Sequence, residues 1–391
     1  MFLVGFNRDR DRYQVPLAIA ELDQLGAFVT DYYRGSLLLR PRQLDHRVSP
    51  GIPADKTRSI LAAIGLQTLS QGANAIRLPI RFSEWHIDRL VAGRLRREAL
   101  RHPDWDLLIY SSFAGPAFRS ASKGRRILFQ FHPFPTTIRE VMLRDAAQRG
   151  PKGHNRVPEV AYYRRMYDRH KVEVAAADHI ICASSFTRHS IEESGLTTAP
   201  ITVSPSGCPD VPEDAELRIS RQAPPVRFLF VGSGGPRKGL HHLIEAWRQM
   251  DADDMTLDLV LGASMPEYRE ISARGIAVRP RLSDCALDEL MWRSDVLVLP
   301  SLAEGFGHVL TEGLAHGCHL VATTNTGLPD LRLDDRVHTL VRAADVEDLA
   351  IALRTARAKL LSDPGTRLAA LQAARVRSWV SFRRAIAEAV S

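Results

Sequence analysis

Four cysteines stand in a chain of 391 residues, at positions 182, 208, 285 and 318. None is spaced as a CxxC pair, so neither a cysteine-rich metal site nor a disulfide framework is indicated, and the expected setting is a reduced cytoplasm. No apolar run approaches the roughly 18 residues needed to cross a bilayer. The opening stretch, MFLVGFNRDRDR, turns to charge too soon for a secretory signal and reads as a first β-strand. Internal repeats, low-complexity tracts and coiled-coil heptads are also missing. Histidines occur without metal-ligand spacing: His241 and His242 are neighbours on one expected helix, while His308 and His316 fall on different turns. The chain is therefore expected to hold no metal and no tightly bound cofactor.

What is present suits a large globular protein. Hydrophobic residues make up 45% and charged residues 25%, which fits a sizeable buried core and excludes wholesale disorder. The formal charge of +7 comes mostly from arginine and favours anionic partners such as nucleotide sugars or phosphorylated lipids. It does not choose among them, and no recognition module points to nucleic acid.

Short apolar runs alternate with helix-length segments along the chain. They are MFLVG (1–5), DLLIY (106–110), RILFQF (126–131), HIICA (179–183) and ITVS (201–204), then VRFLFV (226–231), LDLVL (257–261), IAV (276–278), VLVLP (296–300) and HLVAT (319–323). Continuous apolar strands between amphipathic helices indicate parallel α/β layering. A polar, proline-rich segment separates the two sets. The expected organisation is a Rossmann-like domain over 1–208, a linker over 209–225, a second Rossmann-like domain over 226–370, and a helix over 371–391 returning to the first domain. In that helix Val376, Trp379, Phe382, Ile386 and Val390 share a face. Two such domains would meet at a cleft lined by the C-terminal ends of their strands. Arginines interrupt the pattern over 33–104. Within it, 82–101 reads as a basic helix, either solvated and packed on the first domain or lying against an acidic lipid surface.

Two segments carry chemistry. The strand VRFLFV runs into GSGGPRKG and then a helix, so Gly232, Gly234, Gly235 and Gly239 permit tight turns and close backbone approach. With free helix N–H groups and the cations Lys238 and Arg237, this reads as a diphosphate cradle or, alternatively, as a glycine-rich turn capped by surface basic residues. The spacing is neither GxGxxG nor GxxxxGK[ST], which weighs against nicotinamide and P-loop readings. The second segment follows VLVLPS. Glu304 should sit at the cleft, with Gly305, Phe306 and Gly307 behind it and a helix starting near Gly307. Glu312 would lie about 12 Å further along a helix axis. Carboxylates accept hydrogen bonds from sugar hydroxyls, and an extended sugar diphosphate with its ribose would span that distance. A hydrolytic acid–base pair would instead face across a substrate at about 5–9 Å.

In these segments the sequence resembles glycosyltransferase family 4, of GT-B architecture. The resemblance rests on FVGSGGPRKG (230–239), PRLSDCALDELMWRSDVLVLPS (280–301), EGFGHVLTEGLAHGCHLVAT (304–323) and NTGLPD (325–330), with ADHIICASSFTRHS (177–190) and ITVSPSG (201–207) in support. It is strong over 177–370 and weaker before 125.

The resemblance implies retaining transfer of a hexosyl group from a nucleoside-diphosphate sugar, uridine or guanosine type unresolved, to a carbohydrate or glycolipid hydroxyl. It implies that Lys238 contacts the donor phosphates within a loop of Gly232, Ser233, Gly234 and Arg237. Glu312 is then assigned to the ribose, and Glu304 with Gly305, Phe306 and Gly307 to the transferred sugar. Arg281 and Leu282 fall to the nucleobase, and His132, just past RILFQF, to the reacting centre. Asn7, Arg10 and Arg12 after the first strand, with His132, are candidates for an anionic acceptor. Ser233 stands where an arginine is common in the family, Asp330 where a glutamate is frequent, and FNRDRDRYQ shows no glycine-rich acceptor loop. The competing functions are a nonenzymatic sugar-nucleotide sensor and a GT-B-related phosphorylase or epimerase. A cytoplasmic protein, with peripheral contact at the inner face of the membrane as an option, is expected.

Overall fold

The computed structural model describes residues 1–33, 47–60, 62–63, 80–120, 123–149, 157–219, 225–250, 253–262, 268, 271 and 274–391. Part of the 209–225 segment and the side chains over 82–85, Trp85 included, lie outside them.

Seven strands form the first sheet: β1 Phe2–Gly5, β2 Leu25–Val29, β3 Thr57–Arg58, β4 Asp106–Tyr110, β5 Arg126–Gln130, β6 His179–Cys182 and β7 Ile201–Val203. All pairings are parallel, in the order β3-β2-β1-β4-β5-β6-β7. Six strands form the second: β8 Val226–Gly232, β9 Met255–Leu261, β10 Ile276–Arg279, β11 Val296–Leu299, β12 His319–Thr323 and β13 His338–Val341, ordered β10-β9-β8-β11-β12-β13 and also parallel. Eight of the ten apolar runs occupy inner positions of these sheets, where helices cover both faces and leave no polar side, while ITVS and IAV form the edge strands β7 and β10. β2, β3 and β13 were not legible in the pattern. LGAFV is short and holds a glycine, whose added Cβ would lie 2.5 Å from the Trp105 ring. β3 spans two residues, and β13 is an edge strand with a half-polar face.

In each sheet the chain reverses direction of winding beside its first strand, between β1 and β4 and between β8 and β11. At such a point the loops leaving the strands diverge and open a crevice. The helix Ile80–Arg101 packs its apolar stripe, Ile87, Val91, Leu95 and Ala99, into the first sheet's core, leaving Arg89, Arg96 and Arg97 exposed.

The C-terminal tail departs from the single helix expected over 371–391. One helix ends at Val376 and another runs Trp379–Val390. Val376 is 68% exposed, so it does not share the buried face. Arg377 stops the first helix by donating to the carbonyls of Leu331, Arg332 and Ala373 at 2.7–3.0 Å. The first helix packs on the second sheet's core, while Trp379, Phe382, Ile386 and Val390 belong to the first sheet's core. The two places where the chain passes between halves touch. Cys208 N donates to Arg377 O at 2.7 Å, and a Cβ on Gly207 would lie 2.7 Å from Trp379 Cα. All four cysteines are free, with Cys182, Cys208 and Cys318 buried.

Candidate functional site

In the second half the site grows from two loops. The chain leaves β8 through glycines in left-handed conformations, Gly234 at φ 73° and Gly239 at φ 65°. A Cβ on Gly239 would lie 1.9 Å from the Pro300 carbonyl, so only glycine lets this loop press against the end of β11. That contact delivers Arg237 and Lys238 to the loop after β11. The latter is pinned in turn, since Glu304 N donates to Asn325 O and Gly327 N to Phe306 O. Its helix begins at Val309 rather than Gly307, because Gly307 turns the chain at φ 90°.

The cations do not stand open to solvent as a bare cradle. Lys238 Nζ and Arg237 Nη1 both donate to Glu304 Oε2, Arg237 at 3.0 Å. Arg237 also donates to the Ala303 carbonyl at 2.8 Å and lies 3.7 Å from Glu159 of the first half. Glu304 is 6% exposed. Burial alone would raise its pKa, but Arg237 and Lys238 override that and hold the carboxylate well below its usual range. Burial opposes the charge on Arg237 too, yet Glu304, Tyr163 and Glu159 raise its pKa overall. For Lys238 burial prevails and lowers the value despite Glu304. Arg237 is thus held by Glu304 and the backbone, and Ser233 is exposed.

The first half contributes the loops after β1 and β5. Asn-Arg-Asp-Arg-Asp-Arg-Tyr turns through left-handed backbone without any glycine: Arg8, Asp11, Arg12 and Tyr13 have φ between 48° and 65°. Contacts hold these unfavourable conformations. Arg8 N donates to Asp31 at 2.7 Å, the Tyr110 hydroxyl donates to Asp11, and the Arg10 guanidinium stacks 3.8 Å from the Phe131 ring centre. Beyond β5, His132 is half-buried, and its Nδ1 has no hydrogen-bond partner among the described residues. Burial, with Arg237 and Arg10 nearby, keeps the imidazole well below its usual pKa and therefore neutral. The His132 carbonyl accepts from Gln130 Nε2 at 2.7 Å, and the same amide lies 3.2 Å from His170 Nδ1. With Nδ1 accepting, His170 carries its proton on Nε2 and donates to Ser112 Oγ at 3.1 Å. Glu173 accepts from the Ser112 and Gly115 amides, and burial pushes its carboxyl up to about 7.

The halves interlock at the cleft. A Cβ on Gly305 would lie 1.8 Å from the Phe131 carbonyl, so the GFG turn lies directly on the backbone of the His132 loop. Ser184 and Thr187 hydroxyls donate to the Gly305 carbonyl. Asp330 accepts from Ser185 N at 2.9 Å and Oγ at 2.7 Å, which gives this residue a clear role in joining the halves. His308 Nε2 is 2.9 Å from Asp11, and Arg12 is 3.6 Å from Glu312. Burial lowers the affinity of His308 for its proton, but the hydrogen bond to Asp11 outweighs it and raises the pKa above 6.5. Asp145 is reached from the other half by His242 at 2.6 Å and His241 at 3.4 Å. These three side chains are close enough to share a metal ion. Arg149, at the end of the same helix as Asp145, already pairs with that carboxylate, and the two histidines join the halves by their contacts with it.

Lys238, Glu304, Phe306, Gly307, His132 and Arg10 line one cavity of about 450 Å³, together with Arg8, Asp9, Asp11 and His308. Glu312 and Arg12 line a neighbouring pocket of about 520 Å³ with Asp284, Leu287 and Met291. Gly232, Ser233, Gly234 and Gly305 frame the loops without lining either. Arg281 is exposed and Leu282 packs on the second core, so neither reaches the lining of these cavities. Asn7 is buried and donates to Asp88 at 2.7 Å, which turns it away from the ligand space expected for it. Glu159, Gln130, His170 and the Asp11–His308 pair were not picked out in the sequence. Each sits on an ordinary helix, strand or loop; packing of one half on the other gives partners to Glu159 and to the Asp11–His308 pair, while folding of the first half alone brings Gln130 to His170.

Two parallel doubly wound sheets face each other over this cavity, and over almost its whole length the chain superposes on solved structures of that architecture. Sucrose-phosphate synthase from Thermosynechococcus elongatus matches with a TM-score of 0.69 at 15% identity, covering 98% of this chain and 96% of that one. Trehalose-6-phosphate from E. coli bound with UDP-2-fluoro glucose matches with a TM-score of 0.58 at 14% identity, covering 98% and 97%. The fold is GT-B. Within this GT-B chain, residues 225–359 match the family described as glycosyl transferases group 1. A 147-residue stretch is 32% identical to MMP alpha-(1->4)-mannosyltransferase of Mycolicibacterium hassiacum, covering 35% of each protein. The chain spans about a third to just over half of the length of the curated relatives it matches. No helix among the described residues is long and apolar enough to cross a membrane.

Proposed function

We propose that this protein is a retaining hexosyltransferase that moves a sugar from a nucleoside-diphosphate donor to a hydroxyl acceptor, in polysaccharide or glycolipid synthesis. The observation that carries the reading is Glu304, held ionised by Arg237 and Lys238 on the wall of a cavity that His132 enters from the other half. The family match over 225–359 supports it, as does the likeness of the fold to a structure whose title names a UDP-linked sugar.

The transferred sugar occupies the 450 Å³ cavity, where Glu304 accepts hydrogen bonds from its hydroxyls and neutral His132, on the wall of the same cavity, meets a further hydroxyl. The nucleoside extends toward Glu312, whose carboxylate suits ribose hydroxyls once its long ion pair with Arg12 gives way. As the C1–O bond to the diphosphate breaks, Lys238 and the loop amides stabilise the growing negative charge. The acceptor oxygen bonds to C1 on the face being vacated, and its proton passes to a phosphate oxygen.

The test is a thermal-shift screen of uridine, guanosine and adenosine diphosphate sugars, followed by mass analysis of donor–acceptor reactions. One donor should raise Tm and yield a glycosylated product with free nucleoside diphosphate. Failure of every donor to bind or react would overturn the proposal.

A further inference from the structure

Both cations of the glycine loop are committed to one carboxylate. Lys238 and Arg237 meet on Glu304, and Arg237 is further tied to a backbone carbonyl and lies near Glu159. Ser233, at the mouth of β8, is exposed and uncharged. A diphosphate seated there would therefore find little unspent positive charge on its own side of the cleft.

The opposite side supplies it. Arg10 lines the same cavity as Lys238 and also a small pocket of about 60 Å³ behind His132. It makes no hydrogen bond or ion pair among the described residues, and its Nε is buried without a partner. The nearby carboxylates do not serve it: Asp11 is taken by Tyr110 and His308, and Asp88 by Asn7 with Arg169 close by. Asp9 also lines the cavity. Contact with the Phe131 ring holds the guanidinium at the cavity wall, and its two Nη groups, without a hydrogen-bond partner among the described residues, are left for a forked contact. Asp11 and Asp88 favour its charge only from beyond hydrogen-bond distance, and burial still lowers its pKa. A half-buried cation without an anion in contact is therefore costly unless a ligand brings one. The left-handed backbone at Asp11 and Arg12, next along the chain, holds the loop in place at an energetic cost.

We propose that Arg10 is the second cation of the diphosphate site, contributed across the cleft from Lys238. The inference rests on the donor reading above and deepens it. The leaving group then bridges the two halves, and its charge draws them together.

Calorimetry with UDP, GDP and ADP beside the matching nucleosides measures the phosphate contribution as the ratio of nucleoside Kd to nucleoside-diphosphate Kd. Arg10→Gln should cut that ratio by about tenfold or more, the loss of a charge-assisted fork. Adding Ser233→Arg to Arg10→Gln should restore most of it, a recovery that a packing role for Arg10 would not give. Should Arg10→Gln fold poorly, Arg10→Lys carries the test, with a smaller loss again recovered by Ser233→Arg. An unchanged ratio in Arg10→Gln, with the wild type still preferring diphosphates, would overturn the inference and leave the donor reading standing. So would a loss confined to phosphorylated acceptors, since the anion would then belong to the acceptor. A wild type that binds no nucleoside diphosphate would remove the donor reading itself.

Discussion

The two halves share a topology but build their cleft loops from opposite materials. After β8 the chain turns on Gly234 and Gly239, which reach left-handed backbone at no steric cost. After β1 it makes comparable turns with Arg8, Asp11, Arg12 and Tyr13, each held in a conformation that side chains resist. The glycine loop is specified by its own residues and presses on Pro300 wherever β11 is in place. The arginine–aspartate loop is specified by its partners Tyr110, Asp31, Phe131 and His308, the last from the other half. Tight turns thus need glycine only where no side chain is wanted. Where charge must enter the cavity, the fold accepts strain instead.

Four substitutions can break or sharpen this contrast. The largest effect is expected from Glu304→Ala, which removes the carboxylate from the glycine side and leaves two buried cations without their anion. Turnover should fall about 10²–10³-fold, and Tm should drop because breaking a buried pair costs about 3–5 kcal/mol. Near-normal kcat in a purified, folded variant would show that the carboxylate does not face the ligand.

Gly305→Ala comes next, since its methyl would meet the Phe131 carbonyl and hold the halves apart. Overpacking of this kind costs about 1–3 kcal/mol, so kcat/KM should fall with a smaller loss of Tm. Unaltered kinetics would mean that catalysis does not need this contact.

The Asp11–His308 pair ties the strained loop to the other half, and its pH dependence has a definite sign. The folded pKa of His308 lies above 6.5, so its contribution is fully present below pH 6.5 and is lost as pH rises through the folded value. His308→Gln should remove that part of the decline in Tm on the alkaline side of 6.5. Identical Tm–pH curves for the two proteins would refute the linkage.

Smallest is Arg12→Gly. Relief of its φ of 49° is worth roughly 1 kcal/mol, set against the added freedom of the unfolded chain and a 3.6 Å ion pair to Glu312. A slight rise in Tm is expected, and a clear fall would show that contacts of Arg12 outweigh its backbone strain.

Legibility in the sequence followed locality. All ten apolar runs became strands: eight lie inside the sheets with both faces covered, and ITVS and IAV form the half-exposed edge strands β7 and β10. β2, β3 and β13 escaped because glycine, brevity or a half-exposed face erased the pattern. Lys238, Glu304 and Phe306 could be singled out because glycines flank them at close spacing. Their direct pairing could not, for Lys238 and Glu304 are brought together by the parallel contact of β8 with β11, 66 residues apart in the chain. The tail reads as one helix because its periodicity runs through Arg377, yet two carbonyls of a neighbouring segment, Leu331 and Arg332, together with that of Ala373 in its own helix, capture that guanidinium where the helix ends.

By itself the sequence determined two parallel α/β layers and a glycine loop that must turn sharply, because hydrophobic periodicity and the lack of a Cβ act locally. Only the tertiary structure decided which charges pair across the cleft and which are left over. Glu304 draws in Arg237 and Lys238, while Arg10 has only the Phe131 ring and no hydrogen-bonded anion among the described residues. That outcome depends on distances between segments that the chain order does not encode.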